Sequence, residues 1–195
     1  MREKHREQTL RDLHRAALDL VQRDGLAETP VTAIAERAGV SRRTFFNYYA
    51  SKEDAVLGLT PPTIPTETLD SFLDLPAGQQ RFKEILRLSV ATLATGPPGD
   101  SRSEIKDLLI AYPELAARLR RHHIDLADLL TEAITDRLAT SGYPVSSSDS
   151  ARAVITLAFA VLSFAGSRDP AGLNTSDPEA IDTALTIFKN ALKEI

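Results

Sequence analysis

The sequence predicts an all-α protein of about nine helices, in which a small N-terminal domain precedes a larger helical C-terminal domain. Apolar residues recur at three- and four-residue spacing along most of the chain, as they do in amphipathic helices. No segment alternates between apolar and polar residues in the manner of a half-buried strand. Glycines and prolines cluster between the helical patterns, where they are expected to form turns.

The composition is that of a folded protein, and the lack of cysteine suits a reducing compartment. Of the 195 residues, 43% are hydrophobic and 26% are charged, which is ordinary for a globular protein. The chain has no cysteine, so disulfides, thiolate metal sites and cysteine nucleophiles are excluded. Its N-terminus is charged, unlike a secretory signal, and its most apolar stretch, 153–166, is shorter than the roughly 20 residues that span a bilayer. We therefore expect a cytoplasmic protein with no membrane partner.

The first two helices are marked by signals at their ends. Apolar residues within 10–21 repeat at helical spacing, and Gly25 provides a C-terminal stop. Thr29 is expected to cap the second helix, with Pro30 at its first position, where a missing N–H costs nothing. Gly39 ends this helix after about two turns.

Serines introduce the next two helices. Ser41 can cap a third helix that runs to about Tyr49. Ser51 can cap a fourth helix, which begins with charged residues and continues through Leu57. The first part of the chain is therefore expected to contain four short helices.

Three prolines within 60–65 prevent a regular helix, and they mark the boundary between two domains, 1–59 and 60–195. The second domain contains further apolar patterns of helical period, which are separated by segments rich in glycine, proline and serine. These patterns predict helices at 66–75, 78–95, 102–111, 113–141, 147–167 and 177–194.

The second and third helices have the pattern of a helix-turn-helix. Such a motif needs a small residue inside its first helix and a turn residue that tolerates positive φ, and Ala35 and Gly39 meet these needs. Phe45 and Tyr49, four residues apart, are expected to point inward together. The opposite face of the third helix is then free to enter a major groove of DNA.

That free face carries side chains that suit base recognition. Arg42 or Arg43 could donate two hydrogen bonds to O6 and N7 of guanine, and Asn47 could pair with N6 and N7 of adenine. The methyl group of Thr44 could contact thymine. These four residues are therefore the candidates for reading an operator sequence.

Three other residues are candidates for contacts with phosphates. Thr32 lies near the start of the second helix, Tyr48 lies on the third, and Lys52 lies at the N-terminus of the fourth. The charge distribution agrees with this placement. Residues 1–56 contain ten Lys and Arg against nine Asp and Glu, whereas residues 57–195 contain thirteen against eighteen. The acidic excess therefore lies away from the candidate DNA-binding segment.

The segment 31–56, VTAIAERAGVSRRTFFNYYASKEDAV, resembles the DNA-binding signature of the TetR family of bacterial regulators. The most telling parts are the residues at 34–35, 38–41, 45–49 and 51–53, and no gap is needed to match them. Two positions differ from the usual pattern. Phe46 replaces a frequent tyrosine, which removes a hydroxyl contact to phosphate, and Ala50 replaces a proline, a lysine or a polar residue.

The resemblance implies a regulator, and a repressor in particular, that binds pseudo-palindromic operator DNA as a homodimer and is released by a small-molecule effector. It implies dimer contacts through the helices at 147–167 and 177–194, and an effector site in the C-terminal domain. The family's effector residues are too divergent to be carried over. Tyr112 and Tyr143 are the ligand-binding candidates, since either could offer a hydroxyl in an apolar cavity, although closing the core at a helix end is the commoner role.

Two other classes of protein are alternatives to this one. A helical enzyme would need a catalytic constellation, but the chain has no cysteine, no evident partner for its four histidines, and no phosphate-binding loop or metal motif. We therefore predict that the protein is not an enzyme and holds no cofactor or metal. The alternative is a ligand-independent DNA-binding or interaction adaptor, in which residues 66–195 serve only for dimerisation.

Overall fold

The structure is a computed structural model, and it describes residues 2–61, 64, 79–93, 102–140, 148–168 and 178–194. Within these ranges every regular element is an α-helix, which confirms the predicted all-α class. The nine described helices are α1 Arg2–Asp24, α2 Val31–Arg37, α3 Arg42–Phe46, α4 Lys52–Leu57, α5 Gln79–Leu93, α6 Arg102–Ala111, α7 Pro113–Thr140, α8 Ser148–Arg168 and α9 Pro178–Glu194. None of the helices in the described residues is long and apolar enough to cross a membrane.

The helix ends agree with the sequence patterns in the C-terminal part of the chain and differ from them in the N-terminal part. Helices α5 to α9 begin and end within two residues of their predicted limits. The predicted helix at 66–75 lies outside the described residues. Helix α1 begins eight residues before the first apolar position of its pattern, because the charged and glutamine residues there are good helix formers.

Helix α3 is shorter than expected, since it ends at Phe46 and not at Tyr49. The backbone N–H groups of Tyr48 and Tyr49 both donate to the carbonyl oxygen of Phe45, at 2.9 and 3.0 Å. The chain thus leaves the α-helix through a tightened turn that satisfies the same carbonyl twice. Although both residues follow the end of the helix, Tyr49 points inward and is buried, whereas Tyr48 is half-buried.

Two of the three expected N-caps are confirmed. The side-chain oxygens of Ser41 and Ser51 each accept a hydrogen bond from the backbone N–H three residues ahead, at 3.0 Å. The Thr29 cap was wrong, because Pro30 occupies the N-cap position in an extended conformation and α2 begins one residue later. Thr29 precedes a proline, which disfavours helical backbone, and its hydroxyl donates to the carbonyl oxygen of Gly25 at 2.8 Å instead.

One compact unit comprises Met1–Pro61 and Thr95–His122. Its described core joins α1 to α4 with α6 and the beginning of α7, because Leu108 and Leu115 are buried in the same cluster as the N-terminal helices. The unit is therefore larger than the predicted N-terminal domain. The core side chains are those of Leu13, Ala16, Ala17, Leu18, Leu20, Val21, Leu26, Ile34, Ala35, Phe45, Tyr49, Ala55, Val56, Leu57, Leu108 and Leu115.

A second compact unit comprises Pro62–Ala94 and His123–Ile195. In its described part, α8 packs against both α5 and α9. The rings of Phe164 and Phe188 meet edge to face at 5.6 Å, which adds to the packing of α8 against α9. The core side chains are Ile85, Leu86, Leu88, Leu130, Ile134, Ile155, Ala158, Val161, Leu162, Ala184 and Leu185.

Candidate nucleic-acid interface

The turn between α2 and α3 is closed by Gly39, whose φ is +70°. The Gly39 N–H donates to the Glu36 carbonyl oxygen at 3.0 Å, and the Val40 N–H donates to that of Ala35 at 2.9 Å. This pair of hydrogen bonds is the Schellman ending of a helix, which needs a left-handed residue where glycine carries no steric cost. Ile34 and Ala35 are buried on the inner face of α2, so the two helices of the motif are held close together.

Two aromatic side chains anchor α3 from beneath. Phe45 and Tyr49 are buried, and their ring centroids are 6.1 Å apart. The Tyr49 hydroxyl donates to the Leu10 carbonyl oxygen of α1 at 3.2 Å. Burial, together with the nearby Asp54 carboxylate, raises the pKa of Tyr49 above its usual value, so the phenol stays neutral and remains a donor. Helix α3 is thereby fixed against α1.

The outer face of α3 presents the predicted base-reading residues. Arg42, Arg43 and Asn47 are exposed, and Thr44 and Tyr48 are half-buried. Neither arginine forms an ion pair with any residue that the structure describes. The Thr44 hydroxyl lies 2.8 Å from that of Ser41, so the cap engages its polar atom and its methyl group is the part left for an apolar contact. The structure thus brings these residues together on one surface.

The phosphate candidates are in different surroundings. Thr32 is exposed in the first turn of α2. The Lys52 ammonium group donates to the carbonyl oxygens of Leu26 and Ala27, at 2.6 and 3.5 Å, and so caps the turn that follows α1. Periodicity gives no sign of this contact, since it joins residues that are 26 apart in the chain. Contact of Lys52 with a phosphate remains a prediction.

Surface ion pairs join α2 and α6 to α1. The Asp19 carboxylate forms ion pairs with Arg15 at 3.0 Å and with Arg37 of α2 at 2.8 Å. Glu104 of α6 forms an ion pair with Arg15 at 3.0 Å and accepts a hydrogen bond from the side-chain amide of Gln22 at 2.9 Å. All of these groups are at least partly exposed, so each pair contributes only about 0–1 kcal/mol to stability. The buried apolar core, and not these pairs, is the main contact that holds α2 and α6 against α1.

Two buried polar contacts hold α4, and sequence analysis predicted neither. The Nδ1 atom of His14 donates to the Ala55 carbonyl oxygen at 2.8 Å. The Asp54 carboxylate, which is buried, pairs with the guanidinium group of Arg118 on α7 at 2.7 Å. Both contacts join residues that are far apart in the sequence, so no local pattern could have indicated them.

Of the two ligand-binding candidates, the structure describes only Tyr112. Tyr112 is half-buried and packs against the core of the first unit, and its hydroxyl oxygen lies 3.5 Å from where a Cβ on Gly25 would stand. This environment is that of a residue closing a core, and its role in ligand binding is untested. Tyr143 lies outside the described residues. Among the described residues no group of three or more His, Cys, Asp or Glu could hold a metal ion.

An open groove of about 590 Å³ lies along α8. Its described lining is mostly apolar and includes two alanines. The lining residues are Arg152, Ala153, Thr156, Leu157 and Ala160. Ala153 and Ala160 in this lining are small and exposed, so the surface of α8 is open to close approach at these two positions.

Comparison with known proteins identifies the N-terminal motif. Residues 13–58 match the family model described as bacterial regulatory proteins, tetR family. No curated protein sequence matches the chain. Among solved structures, Salmonella enterica GusR is 18% identical, with 95% of each chain covered and a TM-score of 0.40. FadR of Thermus thermophilus, a TetR-family transcriptional repressor solved in complex with lauroyl-CoA, is 22% identical, with 91% of this chain and 92% of that chain covered and a TM-score of 0.37.

The matched segment contains the structural parts described above. It begins within α1, includes the whole helix-turn-helix, and ends at Gly58, the glycine that terminates α4. The family description and the exposed basic face of α3 agree on one kind of activity, which is binding of DNA in the control of transcription. Residues 13–58 of this chain match the tetR family of bacterial regulatory proteins, and this segment is a DNA-binding helix-turn-helix of that type.

Proposed function

We propose that this regulator is a one-component repressor that binds a pseudo-palindromic operator as a homodimer and leaves it when a small-molecule effector binds. The observation that carries the proposal is the outer face of α3. Arg42 and Arg43 on α3 and Asn47 directly after it are exposed there, and Phe45 and Tyr49 hold this segment from beneath. A site fixed in this way needs little reordering when it meets DNA, so little binding free energy is lost.

Each side chain has a stated role in the proposed complex. Arg42 or Arg43 reads guanine, Asn47 reads adenine and the Thr44 methyl group contacts thymine. Thr32, Tyr48 and Lys52 contact phosphates. Lys52 keeps its hydrogen bonds to the turn after α1 and acts on the phosphate through its charge. Because the Lys52 ammonium group serves both the turn and the phosphate, we expect it to position the protein on the DNA backbone and not to read the base sequence.

The homodimer is proposed to form through the C-terminal helices, α8 and α9. The groove on α8 supports this role, because Ala153 and Ala160 are exposed, small and apolar. Two copies related by a twofold axis would present the same surface to each other, as closed dimers do. Effector binding in the C-terminal domain would release the operator by favouring a conformation in which the two recognition helices no longer match successive grooves.

The experiment that tests the proposal begins with selection of genomic fragments by the wild-type protein. Binding of the selected site is then measured across a salt series for Arg43→Ala, Asn47→Ala and the control Arg120→Ala, an exposed arginine of α7. We expect each α3 substitution to weaken specific binding by about 1–3 kcal/mol and the control to leave it unchanged. A wild type that prefers no genomic fragment would refute operator binding.

A compound screen on the bound operator tests the effector. Release of the DNA by one compound class, with tighter binding of that compound to the free protein than to the complex, is the expected result because coupling is reciprocal. Operator binding that no compound weakens would favour the ligand-independent adaptor.

A further inference from the structure

One aromatic side chain on the recognition helix is exposed to solvent. Phe46 is 47% exposed, and it is the one large hydrophobic residue of the described helix-turn-helix to be exposed to this degree. An aromatic ring left in water forgoes the free energy of burial, which amounts to about 25 cal/mol for each Å² of apolar surface. A ring in this position gains that free energy only when another surface covers it.

The orientation of the Phe46 ring is set by two neighbours. The ring of Phe45 meets it edge to face, with centroids 5.3 Å apart and planes at 84°. The guanidinium carbon of Arg42 lies over it, 5.5 Å from the ring centroid, which is within the range of a cation–π interaction. Phe46 is therefore held by a buried side chain, and it holds an exposed arginine.

We propose that Phe46 determines operator specificity by contacting the 5-methyl group of a thymine while orienting Arg42 toward a nearby guanine. This inference rests on the proposed binding of operator DNA. Successive base pairs are about 3.4 Å apart along the duplex, so a guanidinium group 5.5 Å from the ring reaches a base one or two steps away. The operator half-site is therefore expected to contain a thymine within two base steps of a guanine.

The chemistry of the ring favours this contact over two others. Phe46 has no hydroxyl group and cannot donate a hydrogen bond to a phosphate. Stacking on a base of an intact duplex would require the base steps to be opened, at a cost of a few kcal/mol per step. A thymine methyl projects into the major groove and offers an apolar surface that cytosine lacks. The residue thus discriminates between T·A and C·G pairs at one position.

The test uses an operator selected by the wild-type protein from random DNA. Each thymine in turn is replaced by deoxyuridine, which lacks only the 5-methyl group. We expect one replacement per half-site to weaken wild-type binding about fourfold, the factor that corresponds to one buried methyl group. The same replacement should leave the affinity of Phe46→Ala unchanged. Phe46→Tyr keeps the ring and should keep the sensitivity to deoxyuridine.

A second substitution in the DNA tests the orientation of Arg42. Replacement of the nearby guanine by 7-deazaguanine removes the N7 acceptor, and we expect it to weaken wild-type binding about tenfold. Phe46→Leu keeps an apolar side chain but has no ring face to orient Arg42. The 7-deazaguanine replacement should therefore weaken the binding of this variant only about threefold or less. Ile110→Ala, a truncation of a side chain that is 75% exposed on α6, is the matched control and should behave as the wild type.

The outcomes separate this inference from the proposed function. Wild-type protein that enriches no sequence would overturn operator binding and the inference with it. Enrichment of an operator whose binding is equally sensitive to deoxyuridine in wild type and Phe46→Ala, or insensitive in both, would overturn the role of Phe46 alone. Circular dichroism melts of the variants check that each is folded, which is expected because the substituted ring is about half exposed.

Discussion

His14 joins α1 to α4 from a buried position. Its Nδ1 atom donates to the Ala55 carbonyl oxygen at 2.8 Å, and its Nε2 atom has no hydrogen-bond partner among the described residues. Burial lowers the pKa of His14, and the Arg15 charge lowers it as well, while the hydrogen bond to Ala55 and the Glu104 carboxylate act in the opposite direction. Folding therefore disfavours the charged form of this imidazole.

Acid should destabilise the fold through His14. The unfolded chain binds a proton near the usual histidine pKa of about 6.5, whereas the folded protein binds it only at lower pH. Above about pH 7, His14 should not make the free energy of unfolding depend on pH. Below about pH 6.5, the free energy of unfolding should fall as the pH drops. The limiting slope is about 1.4 kcal/mol per pH unit.

Urea unfolding at about pH 7.5 and about pH 5.5 measures this effect. The matched variant is His14→Gln, which keeps an N–H donor but does not titrate. The difference in stability between the two pH values should be smaller in the variant than in the wild type. An equal difference in both proteins would show that other groups cause the acid sensitivity.

At the scale of elements, α4 depends on an ion pair with α7. The side chain of Asp54 is 3% exposed and that of Arg118 is 30% exposed, so the carboxylate is buried and the guanidinium group lies nearer the surface. Attraction between the two groups is therefore less screened than in a surface pair. Helix α4 follows α3 after five residues, so the position of α4 also limits where the C-terminal end of α3 can lie.

Removal of Arg118 should destabilise the protein more than its partial exposure suggests. Arg118→Met leaves the Asp54 carboxylate buried without its partner, and we expect a loss of about 2–4 kcal/mol. The double variant Arg118→Met with Asp54→Asn should recover part of this loss, because no buried charge then remains. Urea midpoints report both values. Arg120→Met, two residues further along α7 and exposed, is the control, and an equal loss of stability there would contradict this role of Arg118.

At the scale of the whole molecule, the short recognition helix limits what one copy can achieve. Helix α3 has five residues and presents few base-reading side chains. Two copies on half-sites about 34 Å apart would bind far more tightly than one, because the second contact becomes intramolecular. The proposed dimer would thus give the protein the specificity for its operator that one copy of α3 lacks.

Ala160 lies in the groove on α8 and offers a test of the dimer. Ala160→Arg places a long charged side chain where a partner helix would pack, and we expect sedimentation to show a monomer with at least tenfold weaker operator binding. Glu132→Arg, an exposed position on α7, is the control for added positive charge. A monomeric wild type, or a variant that remains dimeric, would exclude this face as the interface.

Most of the described helices, two of their caps and the inward direction of Phe45 and Tyr49 could be read from the sequence. These features depend on neighbours within about one helical turn, and period, capping residues and positive-φ glycines record such neighbours directly. Ser41, Ser51, Phe45 and Tyr49 are examples, since each occupies the position that its local pattern predicts.

The contacts that connect helices could be found only in the folded protein. His14 meets Ala55 across 41 residues of sequence, and Lys52 reaches the turn after α1 across 26. The pairing of Asp54 with Arg118 and the exposure of Phe46 likewise depend on which surfaces other helices cover. A linear pattern records which side of a helix is apolar but not which distant residue lies against it, because that choice is made by packing of the whole unit.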